Sequence, residues 1–225
     1  MLKVKILTLY PEMFPGFLGF SLTGKALFEN KWSLDVVNIR DFATDKYGSV
    51  DDTPCGGGAG MIMRADILGA AIEANHQSGK LIYMTPKGKP LTQQKLHELA
   101  KEPELTIICN RFEGVDERVL DAYQPEEISI GDYILTGGEQ AAMIMLDGVI
   151  RLLDGVLGNA ESMTDESFEN GLLEYPQYTR PIEWRGRKVP DILLSGHHEN
   201  IQKWRLEQSL KTTETKRPDL LKKTS

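Results

Sequence analysis

Between residues 80 and 153 the chain alternates strand and helix, and this constrains the fold more than any other feature. Residues 80–84 read as a strand and Pro86 to Pro90 as a turn. Residues 92–100 read as a helix with Leu96 and Leu99 on one face. Strand 105–109, helix 117–122, strand 127–130 and helix 138–153 follow in order. Strands separated by helical crossovers predict an α/β fold on a parallel sheet, because a crossover must pass over a sheet face. Upstream, residues 3–9 and 34–39 read as strands. A polar, glycine-rich loop covers 41–61, and a helix covers 65–75 with Ile67, Leu68, Ala71 and Ile72 in its apolar stripe.

The pattern changes after Gly158. Residues 159–169 are polar and acidic without periodicity, which reads as a flexible linker. The segment Tyr175 to Pro181 is held extended by its prolines. Ser195 is expected to cap a helix over 197–210. The division expected is a domain over 1–158, a linker over 159–167 and a small, mainly helical domain over 168–225.

No apolar run approaches the roughly 20 residues that cross a bilayer. The N-terminal stretch lacks the pattern of a secretory leader. Cys55 and Cys109 are far apart and form no CxxC pair, so a cytoplasmic protein with reduced thiols and no structural metal is expected. The net charge is −7. Residues 180–225 hold 11 basic against 6 acidic side chains, a balance of +5, so the rest carries −12. A basic end on an acidic body suits phosphate contacts there, or is a solvated charged tail.

Three polar loops, 85–88, 110–118 and 130–138, follow three consecutive strands. In open parallel sheets, ligands bind beyond the carboxyl ends of strands, where such loops meet. The third is the richest: Ser129 to Glu139 sets Gly131, Gly137, Gly138, Asp132 and Tyr133 between a strand end and a helix start. Glycines admit sharp turns and close approach, and the helix N-terminus adds unpaired N–H groups. The dinucleotide fingerprint GxGxxG follows none of the strands. The cluster Gly56, Gly57, Gly58, Ala59, Gly60 has no Lys-Ser/Thr and is not a phosphate loop. It is either a flexible connection or a place where a polymer approaches the backbone. Asp51 and Asp52 can accept from a base edge or cap a turn.

Arg151 ends a helix that is apolar on nearly every face. It is either put to use or snorkels outward at the helix end. The linker acids Glu161, Asp165, Glu166 and Glu169 offer a mobile general base or a solvated loop. His197 and His198 are adjacent, about 100° apart on a helix, which is poor geometry for a metal.

Taken in order, these motifs resemble one family. They are Thr53 to Met61, Arg111 to Arg118, Ser129 to Glu139, Gly155 to Gly158, Tyr178 to Pro181 and Leu193 to Gly196. Together they closely resemble the bacterial tRNA (guanine-N1)-methyltransferases of the TrmD type, in the SPOUT class, over essentially the whole chain. The resemblance implies a deep trefoil knot that holds S-adenosylmethionine through Tyr83, Met84, Thr85, Pro86, Asn110, Glu113, Ser129, Ile130, Gly131, Tyr133, Leu135, Gly137 and Gly138. It implies a homodimer with each site built from both subunits, and methylation of guanine N1 at tRNA position 37, beside the anticodon. Arg151 matches the catalytic arginine and is expected to stabilise charge on guanine O6. Asp51, Asp52, Gly56, Gly57, Gly58 and Phe112 fall in the region that meets the target guanosine and its neighbour. Arg180, Lys203 and Arg205, with Arg185, Lys188 and Lys211, are expected to grip the anticodon stem-loop, and magnesium is expected to assist.

Three positions depart from the family pattern. Glu166 stands before Ser167-Phe168 where an aspartate is usual, Asn110 replaces a glycine and Ala141 replaces a proline. Glu166 is therefore the expected base, with Asp165 its rival. Two other readings stay open from the sequence: a non-catalytic RNA-binding module of the same fold, and a nicotinamide-dependent dehydrogenase.

Overall fold

The computed structural model describes residues 1–158 and 166–221. The chain divides after Gly158 into two compact units. In the first, the elements in chain order are β1 (Leu2–Thr8), α1 (Ser21–Phe28), β2 (Trp32–Asn38), β3 (Asp51–Asp52), β4 (Ile62–Met63), α2 (Ala65–Asn75) and β5 (Lys80–Pro90). Then come α3 (Gln93–Leu99), β6 (Glu104–Ile108), α4 (Glu117–Tyr123), β7 (Glu126–Ser129) and α5 (Gly138–Ile150).

Five strands form one wholly parallel sheet in the order β2-β1-β6-β5-β7. Both faces are covered, which suits the apolar run of residues 81–84 in β5, buried on alternate sides of the sheet. Ile82 and Met84 point into the core beneath α1, α3 and α5, while Leu81 and Tyr83 point into the core beneath α2 and α4. Burying an Ile or Leu side chain in such a core stabilises the fold by roughly 1.5–3 kcal/mol. Trp32 is fully buried and its indole N–H donates to Thr23 O at 3.0 Å, which draws the start of β2 two residues ahead of the expected 34.

Other expectations are corrected as well. The turn from Pro86 to Pro90 lies inside β5, because Lys89 and Pro90 rejoin β7 after residues 85–88 loop out. The loop over 41–61 contains β3, which pairs antiparallel with β4. Helix α5 stops at Ile150, and Leu152 and Leu153 N–H groups reach back only three residues, a tightened last turn. Ser195 does not cap the long C-terminal helix: its hydroxyl closes a turn, accepting from His197 N and donating to Ile192 O.

The second unit holds the two-residue strands β8 (Glu183–Trp184) and β9 (Arg187–Lys188), α6 (His198–Lys216) and the short α7 (Pro218–Leu221). Helix α6 runs past the expected 210 because residues 211–216 are helix-compatible but carry no apolar signal. It ends at Arg217, where the following Pro218 disfavours helical backbone. Only Ser209 and Thr213 of α6 are buried. The preceding segment is fastened along it by Leu173 N donating to Thr213 Oγ1 at 2.9 Å and by the Tyr178 and Trp204 rings, whose centroids are 6.3 Å apart.

Candidate active site

The carboxyl ends of β5, β6 and β7 open onto a cavity of about 370 Å³, within the range of small-molecule sites. Its first wall is Tyr83, Met84, Thr85 and Pro86, where β5 leaves the sheet. Its second is Asn110 to Val115, after β6, and includes Phe112 and Glu113. Its third is Ser129, Ile130, Gly131, Tyr133, Leu135, Gly137 and Gly138, after β7. Every residue expected to hold the methyl donor thus borders one space.

The walls are largely main chain, held by local bonds. Ser129 Oγ accepts from Gly131 N at 3.2 Å and donates to Gly131 O at 3.1 Å. Tyr133 OH reaches back to Ile130 O at 3.3 Å. Gly131 has φ +147°, and a Cβ there would sit 2.5 Å from the Tyr133 ring, so this turn requires glycine. Phe112 adopts φ +60°, a left-handed conformation uncommon for an aromatic residue, and leaves its ring half exposed at the cavity. Burial pushes the Tyr83 phenol up to about 12, against a hydrogen bond with Thr85 that lowers it, so the tyrosine stays protonated at neutral pH.

Sequence reasoning missed a buried pair behind the third wall. Glu139, in the first turn of α5, is fully buried. Its Oε1 accepts from Thr8 Oγ1 at 2.8 Å and from Arg111 Nε at 3.2 Å. Its Oε2 lies 3.1 Å from Arg111 Nε but has no hydrogen bond of good geometry. Arg111 also donates to Thr136 O at 3.2 Å and places its guanidinium 4.4 Å from the Tyr10 ring centroid. The two residues stand 28 apart in sequence, and no periodicity links them. The only sequence signal was an acid at the start of an apolar helix.

Other expected site residues lie elsewhere. Asp51 and Asp52 sit on β3, and Asp52 Oδ1 accepts from Thr53 N at 2.7 Å, the turn-capping alternative. Gly56, Gly57 and Gly58 are exposed, with φ of +91°, +82° and +130°. The β3–β4 arm reaches the second wall through its base: Glu113 N donates to Met61 O and Met63 N to Gly114 O, at 2.9 and 3.0 Å. Arg151 is half-buried at the C-terminal cap of α5 and does not border the cavity. Thirteen residues of helical rise separate it from Gly138, roughly 20 Å.

In the second unit, Glu166 borders a cavity of about 320 Å³ that Tyr175 and Arg205 also line. Arg205 is half-buried with its guanidinium 4.7 Å from the Tyr175 ring centroid, so it is partly engaged within the unit rather than presented as a free phosphate grip. Arg180 and Lys203 are exposed. Asp165 and Glu161, with most of the expected linker, lie outside the described residues. Among the described residues no group of three or more His, Cys, Asp or Glu is arranged to hold a metal ion, and no helix is long and apolar enough to cross a membrane.

Comparison with known proteins identifies the family. The family model described as tRNA (Guanine-1)-methyltransferase TrmD matches residues 2–223. The chain is 58% identical over 220 residues to a tRNA (guanine-N(1)-)-methyltransferase of Rhodospirillum rubrum, covering 97% of this chain and 92% of that one. It is 57% identical to the protein of that name from Rhizobium etli, over 98% and 96% of the two chains. To that of Brucella ovis it is 60% identical, over 96% and 89%.

Proposed function

The chain belongs to the TrmD family of tRNA (guanine-1)-methyltransferases, and from that premise we propose that it transfers a methyl group from S-adenosylmethionine to guanine N1 of the guanosine at tRNA position 37, in the cytoplasm. The observation that carries this is the cavity: the residues expected to hold the donor converge on it at the carboxyl ends of three adjacent parallel strands. Its main-chain walls and half-exposed aromatic rings suit a nucleoside without a GxGxxG loop. The way Gly138 N donates to Asn110 O at 2.9 Å, with the third loop lying against the second, supports a trefoil-knot reading of 80–150. The family membership sets aside the dehydrogenase alternative.

The donor supplies an electrophilic methyl group; the chain supplies the rest. Guanine N1 is a poor nucleophile until its proton leaves, and Glu166, or Asp165 in its place, accepts that proton, worth roughly 10²–10⁴ in rate. Negative charge then grows on guanine O6, where Arg151 donates. A positioned donor at such an oxygen is worth on the order of 10² or more. Because α5 carries Arg151 ten residues beyond Ala141, its last residue on the donor cavity of its own chain, a rise of roughly 15 Å, the arginine that serves a given cavity comes from the second subunit of a homodimer. The segment 168–225 binds the anticodon stem-loop through Arg180, Lys203 and the exposed hairpin residues Arg185 and Lys188, across the linker 159–167. Asp51, Asp52 and the glycine arm meet the target and its neighbour.

The test is a methyl-transfer assay with labelled S-adenosylmethionine and an anticodon stem-loop RNA. We expect label at N1 of guanosine 37 and none when adenosine replaces it. Donor and RNA binding without transfer would instead support a non-catalytic RNA-binding module.

A further inference from the structure

We propose that Arg111 and Glu139 form a positioning pair that sets the affinity for the methyl donor by fixing the third wall of the cavity against the second. This rests on reading the cavity as the donor site. Neither residue is needed there for chemistry. Glu139 does not border the cavity, and Arg111 borders it while its donors point elsewhere.

One guanidinium gathers four separate parts of the chain. Arg111 is rooted in the second loop. Its Nε meets Glu139 in the first turn of α5, its Nη1 meets Thr136 O in the third loop, and its Nη2 approaches Met13 Sδ at 3.1 Å beyond β1. Its flat face covers Tyr10. Glu139 Oε1, which accepts from Arg111, also accepts from Thr8 Oγ1, at the end of β1. A planar fork can satisfy several acceptors at fixed angles, which an ammonium cannot.

The third loop depends on this anchor. Residues 132–136 are exposed, and among the described contacts Arg111 is what ties Thr136 to the body of the protein. The chain then crosses the pair at close range: a Cβ on Gly137 would lie 2.5 Å from both Arg111 Nε and Glu139 Oε2. Glycine at 137 is therefore required by a pair behind the wall, not by a turn, since its φ of −179° is ordinary extended backbone. Leu135, Gly137 and Gly138, all on the cavity, lie within two residues of the anchored carbonyl or the buried carboxylate.

The test compares Arg111→Lys, Glu139→Gln and the double variant with the unaltered protein. Calorimetry with S-adenosylhomocysteine gives donor-site affinity, steady-state kinetics separate KM for donor and tRNA from kcat, and thermal melting reports stability. Each single variant is expected to weaken donor affinity about tenfold, the loss of roughly one charge-assisted hydrogen bond. Its kcat at saturating donor and its KM for tRNA should be nearly unchanged. The double variant should be little worse than either single, as for two residues acting through one contact.

Thr8→Val keeps the pair and removes its outer hydrogen bond, along with the bond that Tyr10 N donates to the same hydroxyl, so it serves if the charge variants fold poorly; a smaller rise in donor KM is expected. Unchanged donor affinity in Arg111→Lys and Thr8→Val would overturn the proposal. So would a loss of affinity that merely follows a loss of folded protein. Failure of the unaltered protein to bind S-adenosylhomocysteine would instead remove the donor-site reading on which the proposal stands.

Discussion

Cys109 is a fully buried thiol one residue before the second wall of the cavity. Burial, and then the nearby Glu139 carboxylate, push its ionisation well above 9.0. The folded protein therefore keeps a proton that the unfolded chain releases. This contribution to stability is complete below about pH 9 and is lost as the pH rises from there. Tyr83 acts in the same direction over the next interval, from 10.0 to about 12. Cys109→Ala should flatten the alkaline fall in unfolding free energy above about pH 9, measured by denaturant titration at each pH. An unchanged slope would place the titrating group elsewhere. At this scale the sequence was legible where an unusual residue in a loop borders the cavity, as at Gly131, Tyr133 and Glu113. It was not legible where two ordinary charges meet only after folding. Arg111 reads as one of several charges in its loop until the sheet brings it against Glu139.

At the scale of elements, β5 shows why apolar patterning found the sheet but not its full extent. Residues 81–84 announce a buried strand by side chains alone. Residues 85–90 carry two prolines and no buried alternation beyond Thr85, yet the chain returns to β7 at Lys89 and Pro90. What allows the return is space at Gly88, where a Cβ would lie 2.4 Å from Ile128 N and 2.5 Å from Glu127 C, both rigid backbone. Gly88→Ala should therefore destabilise the fold by about 1–3 kcal/mol, the usual scale of overpacking, and weaken donor binding because Thr85 and Pro86 start the same excursion. Chemical denaturation and donor titration of that variant check both; wild-type values would mean that the first wall yields freely. The ends of α5 and α6 were misjudged for the opposite reason. Hydrophobic period marks the middle of a helix, whereas its ends follow local backbone chemistry, here the tightened turn after Ile150 and the Arg217-Pro218 step.

For the whole molecule, the proposed mechanism makes the active site a property of two chains, because Arg151 does not border the cavity of its own chain. Arg151→Ala removes the proposed O6 donor. Gly131→Val fills the donor turn, because the added atoms meet the Tyr133 ring. Each variant alone should be nearly inactive. Co-expressed, they should form mixed dimers in which one of two sites has both parts intact, restoring about a quarter of the activity in a statistical mixture of symmetric dimers. If each chain completed its own site, the mixture would stay inactive.

The strand order has a further consequence, in the time the chain takes to fold. Strand β1 lies between β2 and β6, so Lys3 finds one lateral neighbour at Ser33 and the other only at Glu104. During synthesis the first strand emerges early and waits, open on one edge, while about a hundred residues follow; β5 then waits in turn for β7. Contacts so distant in sequence slow folding, because the loop must close before any pairing is gained. An exposed strand edge during that interval invites pairing with other chains. The yield of native protein from this gene should therefore depend on how quickly residues 80–130 follow the first forty out of the ribosome, a dependence that belongs to the topology rather than to any residue of the site.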